Sequence, residues 1–338
     1  MSGERGRESR GGLLSGAYGR ITQMRRAWYD RRPGRRRRLH HPVISVGNLA
    51  SGGSGKTPVV ASLARLLRDR GERPAILTRG YGRRETTEGV LVVSDGTRVL
   101  EPVSRSGDEP QLLARKVDGV PVLVSADRYI AGLFAERHFG VTVSILDDGF
   151  QHVQLERDID LLLISPNDLQ ERVLPAGQLR EPLDAARYAD ALLVAGTEEE
   201  VKEVASALGH PTAFQVTTRF ADLKGPRRTE EGPRRTQEGR DGNRVLAFAG
   251  IARPERFFNA LRSLGYDVAR ELMFRDHHWY TPSDLAAIQQ AARDADASLI
   301  VTTEKDAVRC DLEVAVLPMS VEIEPAAEFI AWLMGRLH

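Results

Sequence analysis

Residues 43–58 are the part of the chain best suited to chemistry. The apolar run Val43-Ile44-Ser45-Val46 gives way to a glycine-rich turn that closes on Gly55-Lys56-Thr57. A polyphosphate is held by converging backbone N–H groups, which Gly52, Gly53 and Gly55 can supply without side chains in the way. In such a loop Lys56 places a point charge on the β- and γ-phosphates, and Thr57 offers a hydroxyl to Mg²⁺. Ala50, Ser51 and Ser54 complete the nucleotide-binding stretch, with Ala50 standing where the usual eight-residue signature has glycine. The helix expected over 59–70 repeats apolar residues at Val60, Leu63, Leu66 and Leu67, so its N-terminus points at the same phosphates.

Further along, Asp147 and Asp148 follow a short apolar strand, where a carboxylate can bind or orient Mg²⁺ in a phosphate-loop fold. Adjacent carboxylates alternate in direction, so the two are expected to serve different partners. A plain Asp-Gly turn would give the same dipeptide but leave Phe150-Gln151-His152 unexplained.

These residues need a scaffold, and 338 residues with 41% apolar content predict two globular domains. The lone Cys310 cannot form an internal disulfide, and no apolar stretch is long enough to span a bilayer, so the catalytic body is expected in the cytoplasm. The net charge of +1 conceals an asymmetry, because residues 1–40 hold twelve arginines against three acids (+9), leaving −8 for the rest. Within this arm Leu13, Leu14, Ala17, Tyr18, Ile21, Met24 and Trp28 recur at helical spacing among arginines. Such a helix can lie in an anionic membrane interface, pack on the body or remain unfolded, and the 31–38 arginine cluster could also touch nucleic acid.

Strands are expected at 74–78, 141–146, 159–164, 191–195 and 213–217, alternating with helices and glycine turns as in a doubly wound α/β sheet. Residues 225–238 are a polar tandem repeat, Gly-Pro-Arg-Arg-Thr-Glu-Glu then Gly-Pro-Arg-Arg-Thr-Gln-Glu, read as an exposed insertion. A fresh pattern follows, with strands at 244–249, near Val268 and at 298–302 and helices at 253–264 and 282–294. The organisation expected is a basic segment (1–40), a phosphate-loop domain (41–217), a linker with the insertion (218–243) and a smaller α/β domain (244–338).

Taken together, Gly47-Asn48-Leu49, Gly52 to Pro58, Arg79-Gly80-Tyr81-Gly82, Gly107-Asp108-Glu109-Pro110, Asp147-Asp148-Gly149-Phe150-Gln151-His152, Leu179-Arg180-Glu181-Pro182 and Asp276-His277 resemble the tetraacyldisaccharide 4′-kinase (lipid A 4′-kinase) family. The likeness runs from about residue 42 to 309, and that family's loop also lacks the first glycine. It implies two α/β domains joined by a two-stranded linker, and transfer of the γ-phosphate of ATP, with Mg²⁺, to the 4′-hydroxyl of an acylated glucosamine disaccharide 1-phosphate. The family's peripheral position on the cytoplasmic face of the inner membrane favours the membrane reading of the arm. It also implies that Asp108 is the base and is paired with His277, whereas the residues alone would equally suit a helix cap and a surface histidine. Arg79, Tyr81, Arg128, His152 and Arg180 are expected at the acceptor, and Glu181 at the metal with Thr57 and Asp147. Arg128 and Arg180 could bind the acceptor's 1-phosphate or form surface ion pairs.

Two rival readings remain at this level. One is a phosphate-loop GTPase or ATPase of the metallochaperone or switch type, weakened because Thr303-Glu304-Lys305-Asp306 has the wrong spacing for guanine selection. The other is a nucleic-acid-binding ATPase, which the acidic body disfavours, so no nucleic-acid partner is expected.

Overall fold

Two sheets of different size share the chain. The computed structural model describes residues 2–52, 55–85, 88–225 and 243–337, so Gly53, Ser54 and most of the polar repeat, 226–238, lie outside the described residues. The chain opens with α1 (Ser2–Asp30) and then enters β1 (Val43–Asn48), α2 (Lys56–Arg68), β2 (Pro74–Thr78), β3 (Leu91–Asp95), α3 (Val103–Ser106) and α4 (Asp108–Lys116). It continues through β4 (Pro121–Val124), α5 (Arg128–Phe139), β5 (Val143–Asp147), β6 (Ile159–Ile164), β7 (Ala191–Val194), α6 (Glu198–Leu208) and β8 (Ala213–Phe220). The second sheet is built from β9 (Arg244–Ala249), α7 (Pro254–Ser263), β10 (Asp267–Met273), α8 (Pro282–Asp294), β11 (Leu299–Thr303), α9 (Glu304–Ala307) and β12 (Ala315–Leu317). Last come β13 (Met319–Glu324) and α10 (Ala326–Leu337).

The large sheet has the order β13-β8-β7-β6-β1-β5-β2-β4-β3, and the small one β10-β9-β11-β12. Central strands β1, β2, β5 and β6 are buried at every residue, as parallel strands covered by helices on both faces must be. Among the described residues only the edge strands β3 and β13 run antiparallel to their neighbours. On one face α2 contributes Val60, Leu63 and Leu67 to the core, and on the other α5 contributes Ala131 and Ala135.

The expected domain of 244–338 does not hold at its end. Val321 and Ile323 alternate with Glu322 and Glu324, and the period of two pairs β13 with β8 in the large sheet. The following helix buries Phe329 and Leu333 in the first domain's core, with Phe329 edge-on to Phe214 at 5.1 Å. The second domain is therefore confined to 244–317, and β8 and β13 are the two antiparallel strands that carry the chain out and back.

Among the described residues no helix is long and apolar enough to cross a membrane. Helix α1 lies on the first domain through Gly19 and Arg26, which are buried, while Leu14 (60% exposed), Ile21 (58%) and Met24 (63%) face outward. The side chain of Leu13 lies outside those described. The arginine cluster is partly engaged by carboxylates of the body and of α1 itself. Arg37 pairs with Asp127 at 2.7 and 2.8 Å, Arg38 with Glu156 and Asp158 at 2.7 and 3.1 Å, and Arg36 with Asp30.

Candidate active site

The C-terminal end of β1 turns directly into the phosphate loop and α2. Glycine is required at Gly47, where a Cβ would sit 2.4 Å from that of Phe150, so its absence lets the Asp148-Gly149-Phe150 turn close against the strand. Asp148 is held there with φ 56°. Lys56 Nζ donates to Asn48 Oδ1 at 2.7 Å and stands 3.3 Å from Asp148 Oδ1. Arg180 grips both oxygens of Asp148 at 2.9 and 3.0 Å and also donates to Asn48 Oδ1 and to the Ala50 carbonyl, at 2.8 and 3.2 Å. Burial works to raise the Asp148 pKa, but Lys56 and Arg180 together hold it down at about 2.

Asp147 faces a different environment. It is buried, its nearest partner is the Thr78 hydroxyl at 3.2 Å, and burial followed by the charges of Glu109 and Asp148 pushes its carboxyl up to about 7. A buried oxygen donor among other carboxylates fits a hard divalent cation, which would relieve the charge crowding. The two adjacent aspartates thus divide as expected, with Asp148 committed to Lys56 and Arg180.

The second cluster joins the domains. Asp108 opens α4, and the cap of that helix is Gly107 with no side-chain cap bond, so Asp108 does not serve as the N-cap. Its buried Oδ2 instead meets His277 Nδ1 at 2.9 Å, Arg309 at 3.2 Å and Lys305 at 3.7 Å, all from the second domain. Burial is the largest influence on Asp108 and raises its pKa, yet the hydrogen bond from His277 and the charges of Lys305 and Arg309 prevail, leaving it below the usual carboxylate range. The hydrogen bond to Asp108 raises the pKa of His277, against the opposing pull of burial and Lys305.

A profile described as Tetraacyldisaccharide-1-P 4'-kinase matches residues 12–338. The chain belongs to this kinase family. A tetraacyldisaccharide 4'-kinase of Syntrophus aciditrophicus is 40% identical over 331 residues, covering 90% of this chain and 87% of the relative. One from Geobacter metallireducens is 42% identical over 301 residues, with 88% and 87% covered. A crystal structure described as the "apo" form of LpxK from Aquifex aeolicus in complex with ATP superposes with a TM-score of 0.76 at 34% identity, covering 96% of this chain and 98% of that one. The chain thus has the phosphate-loop α/β fold of its kinase family.

Within this family frame, several expected contacts fall in unexpected places. Glu181 is not available to a metal, because a buried carboxylate needs a counter-charge and the Arg26 fork takes both of its oxygens, one at 2.9 Å. The same guanidinium donates to the Phe150 carbonyl at 2.8 Å and lies 4.1 Å over the Phe150 ring, pinning α1 to the Asp-Asp-Gly-Phe turn. Arg180 is engaged with Asp148 and the loop backbone, as above. Arg128 is buried beside Arg79, Asp148 and Asp147, where burial and then Arg79 lower its pKa. His152 adjoins Arg128 and is drawn down to about 4 by burial, then by Arg128 and Arg157, so it is neutral at pH 7. Tyr81 is 70% exposed, with its ring 5.6 Å from that of His277. His278 is set apart by a hydrogen bond to Asp284 at 3.1 Å and by stacking on Phe274.

Sequence reasoning missed Arg26, Asn48, Lys305 and Arg309. The Thr303-Glu304-Lys305-Asp306 segment, considered above only for guanine selection, is the cap that turns β11 into α9, with the Thr303 side chain accepting from the Asp306 amide. Because Arg180 touches the loop and Asp148, Arg180→Ala should raise the KM for ATP about tenfold or more, while the KM for the acceptor stays within about twofold. A rise confined to the acceptor KM would instead place Arg180 on the 1-phosphate.

Proposed function

We infer that the chain transfers the γ-phosphate of ATP to the 4′-hydroxyl of a tetraacylated glucosamine disaccharide 1-phosphate, a step of lipid A biosynthesis. The observation that carries the reading is the Asp108–His277 pair, drawn from two domains beside a phosphate loop in a chain of this family. A sugar hydroxyl is a poor nucleophile at neutral pH, and a carboxylate kept ionised and oriented within reach of it is a general base. Asp108 takes the hydroxyl proton, and His277 orients it. Lys56 contacts the transferring phosphate. Thr57 and Asp147 would hold Mg²⁺, which supplies charge neutralisation for the polyphosphate when bound. Arg79, Tyr81, Arg128 and His152 form the acceptor side, the arginines favouring phosphate and His152 acting as a neutral hydrogen-bonding group.

An acylated acceptor resides in a bilayer, and the outward apolar stripe of α1 suits peripheral attachment to the anionic cytoplasmic face of the inner membrane. No particular feature of the site favours the GTPase reading.

With ³²P-labelled ATP and the lipid disaccharide 1-phosphate in detergent, the parent protein should label the lipid and a folded Lys56→Ala variant should not. An unlabelled lipid, or equal labelling by both, would contradict the reading. Trp28→Ala should weaken flotation with anionic vesicles even at high salt, where screening removes the arginine contribution and leaves the apolar one. Unchanged flotation would remove α1 from the membrane contact.

A further inference from the structure

Asp108 is approached unevenly. His277, Arg309 and Lys305 all gather on Oδ2, whereas among the described residues Oδ1 accepts only the Glu109 amide, at 3.1 Å. The torsion that swings a carboxylate is broad and roughly two-fold, so an unanchored group would present either oxygen. Beside Oδ1 lies Gly82, whose φ of 76° favours glycine and which leaves bare a position where a Cβ would be in ordinary contact with that oxygen, at 3.8 Å, and with His277 Nδ1, at 3.5 Å.

Lys305 has a second contact. Its Nζ lies 3.3 Å from His277 Nε2, making it the cation among the described residues that reaches both members of the pair. An ammonium has only protons to give, so toward Lys305 at 3.3 Å Nε2 acts as the acceptor and Nδ1 carries the proton donated to Asp108, while the Asp276 carboxylate stands farther from Nε2, at 3.8 Å. Lys305 is 19% exposed and is steadied by Glu109 at 3.2 Å and Asp276 at 3.5 Å, and these carboxylates with Asp108 outweigh burial to keep it protonated. Arg309, 1% exposed, is fixed by Asp306 at 2.7 Å, which also accepts from the Gly250 amide, Tyr280 and Thr303. Gly250 in turn accepts the His277 amide at 3.1 Å, so one buried network sets both the histidine and the arginine.

We propose that Lys305, supported by Arg309, is a positioning residue that holds His277 as the neutral Nδ1–H tautomer and turns Asp108 so that Oδ1 is the oxygen receiving the acceptor's proton. The proposal rests on the kinase reading and deepens it. In the step, the hydroxyl O–H bond breaks toward Oδ1 while its oxygen bonds to the γ-phosphorus. The bond from that phosphorus to the bridging oxygen breaks with its electron pair leaving on ADP, and Asp108 later gives the proton to water.

The test compares the parent protein with Lys305→Met and Lys305→Arg by NMR of the His277 ring and by steady-state rates across pH. The groups facing the pair are Lys305, Arg309, Glu109 and Asp276. In the parent at a pH above the His277 titration, which the hydrogen bond to Asp108 raises, ring ¹⁵N shifts should show a protonated Nδ1 and an unprotonated Nε2. In Lys305→Met the loss of a neighbouring cation should move the His277 titration to higher pH and the acid limb of kcat upward by about half a unit or more. It should also lower kcat about tenfold with the KM for ATP little changed. Lys305→Arg keeps the charge and should recover most of each change. An Nε2–H tautomer in the parent would overturn the proposal. So would a folded Lys305→Met with unmoved titration and acid limb, or a Lys305→Arg as impaired as Lys305→Met. Because the ring measurements need no substrate, absence of transfer by the parent itself would count against the kinase reading and leave the Lys305 assignment to be judged by NMR.

Discussion

The Asp108 carboxylate is buried, and the cationic groups that compensate its charge among the described residues come from the other domain. A lone buried carboxylate is costly and tends to take up a proton, which would abolish it as a base. The compensation comes from His277, Lys305 and Arg309 across the domain boundary. Ionisation of Asp108 and apposition of the two domains are therefore one condition. Further along α4 the same coupling recurs, since Lys116 is bound by Glu304 and by the Met319 carbonyl, at 2.6 Å for the latter.

The first domain meets a matching constraint at the nucleotide loop. A parallel sheet gathers the C-terminal ends of its strands on one edge, and there β1 delivers Lys56, β2 delivers Arg79 to Gly82, and β5 delivers Asp147 and Asp148. In the small sheet β9 leads into Gly250 and β11 into Glu304-Lys305, again just past strand ends. Both sheets use the same position for their functional groups, and the two strands β8 and β13 hold the sheets together in one chain. Helix α1 is tied into this arrangement through Arg26, which binds Glu181 next to Arg180 and caps the Phe150 carbonyl. Helix α1 and the nucleotide loop are thus linked through two adjacent side chains, Glu181 and Arg180.

Much of this was legible in the residues. The strands at 74–78, 159–164 and 244–249 and the helix at 282–294 have the expected bounds, because their apolar periodicity and their flanking glycines and prolines are local signals. The different partners of Asp147 and Asp148 were likewise readable from type and position. The family resemblance, and not periodicity, singled out Asp108 and His277. What was illegible depends on pairing over long separations. Val321 to Glu324 alternates like any edge strand, and nothing nearby says that it rejoins β8 a hundred residues earlier. Glu181 looked like a metal ligand until its counter-charge proved to be Arg26, 155 residues away in sequence. Lys305 stood in a segment whose local signature is a helix cap, so its reach to His277 could not be seen without the fold.

The central claim is that Asp108 and His277, contributed by different domains, act as one unit on the acceptor hydroxyl. A double-mutant cycle in kcat over Asp108→Ala, His277→Ala and the double variant, with melting curves to confirm folding, tests it most directly. Each single variant should lose about 10²-fold or more in kcat with smaller changes in the KM for ATP, and the double variant should be little worse than the worse single one. Losses that multiply, or near-normal turnover in a folded Asp108→Ala, would contradict the account.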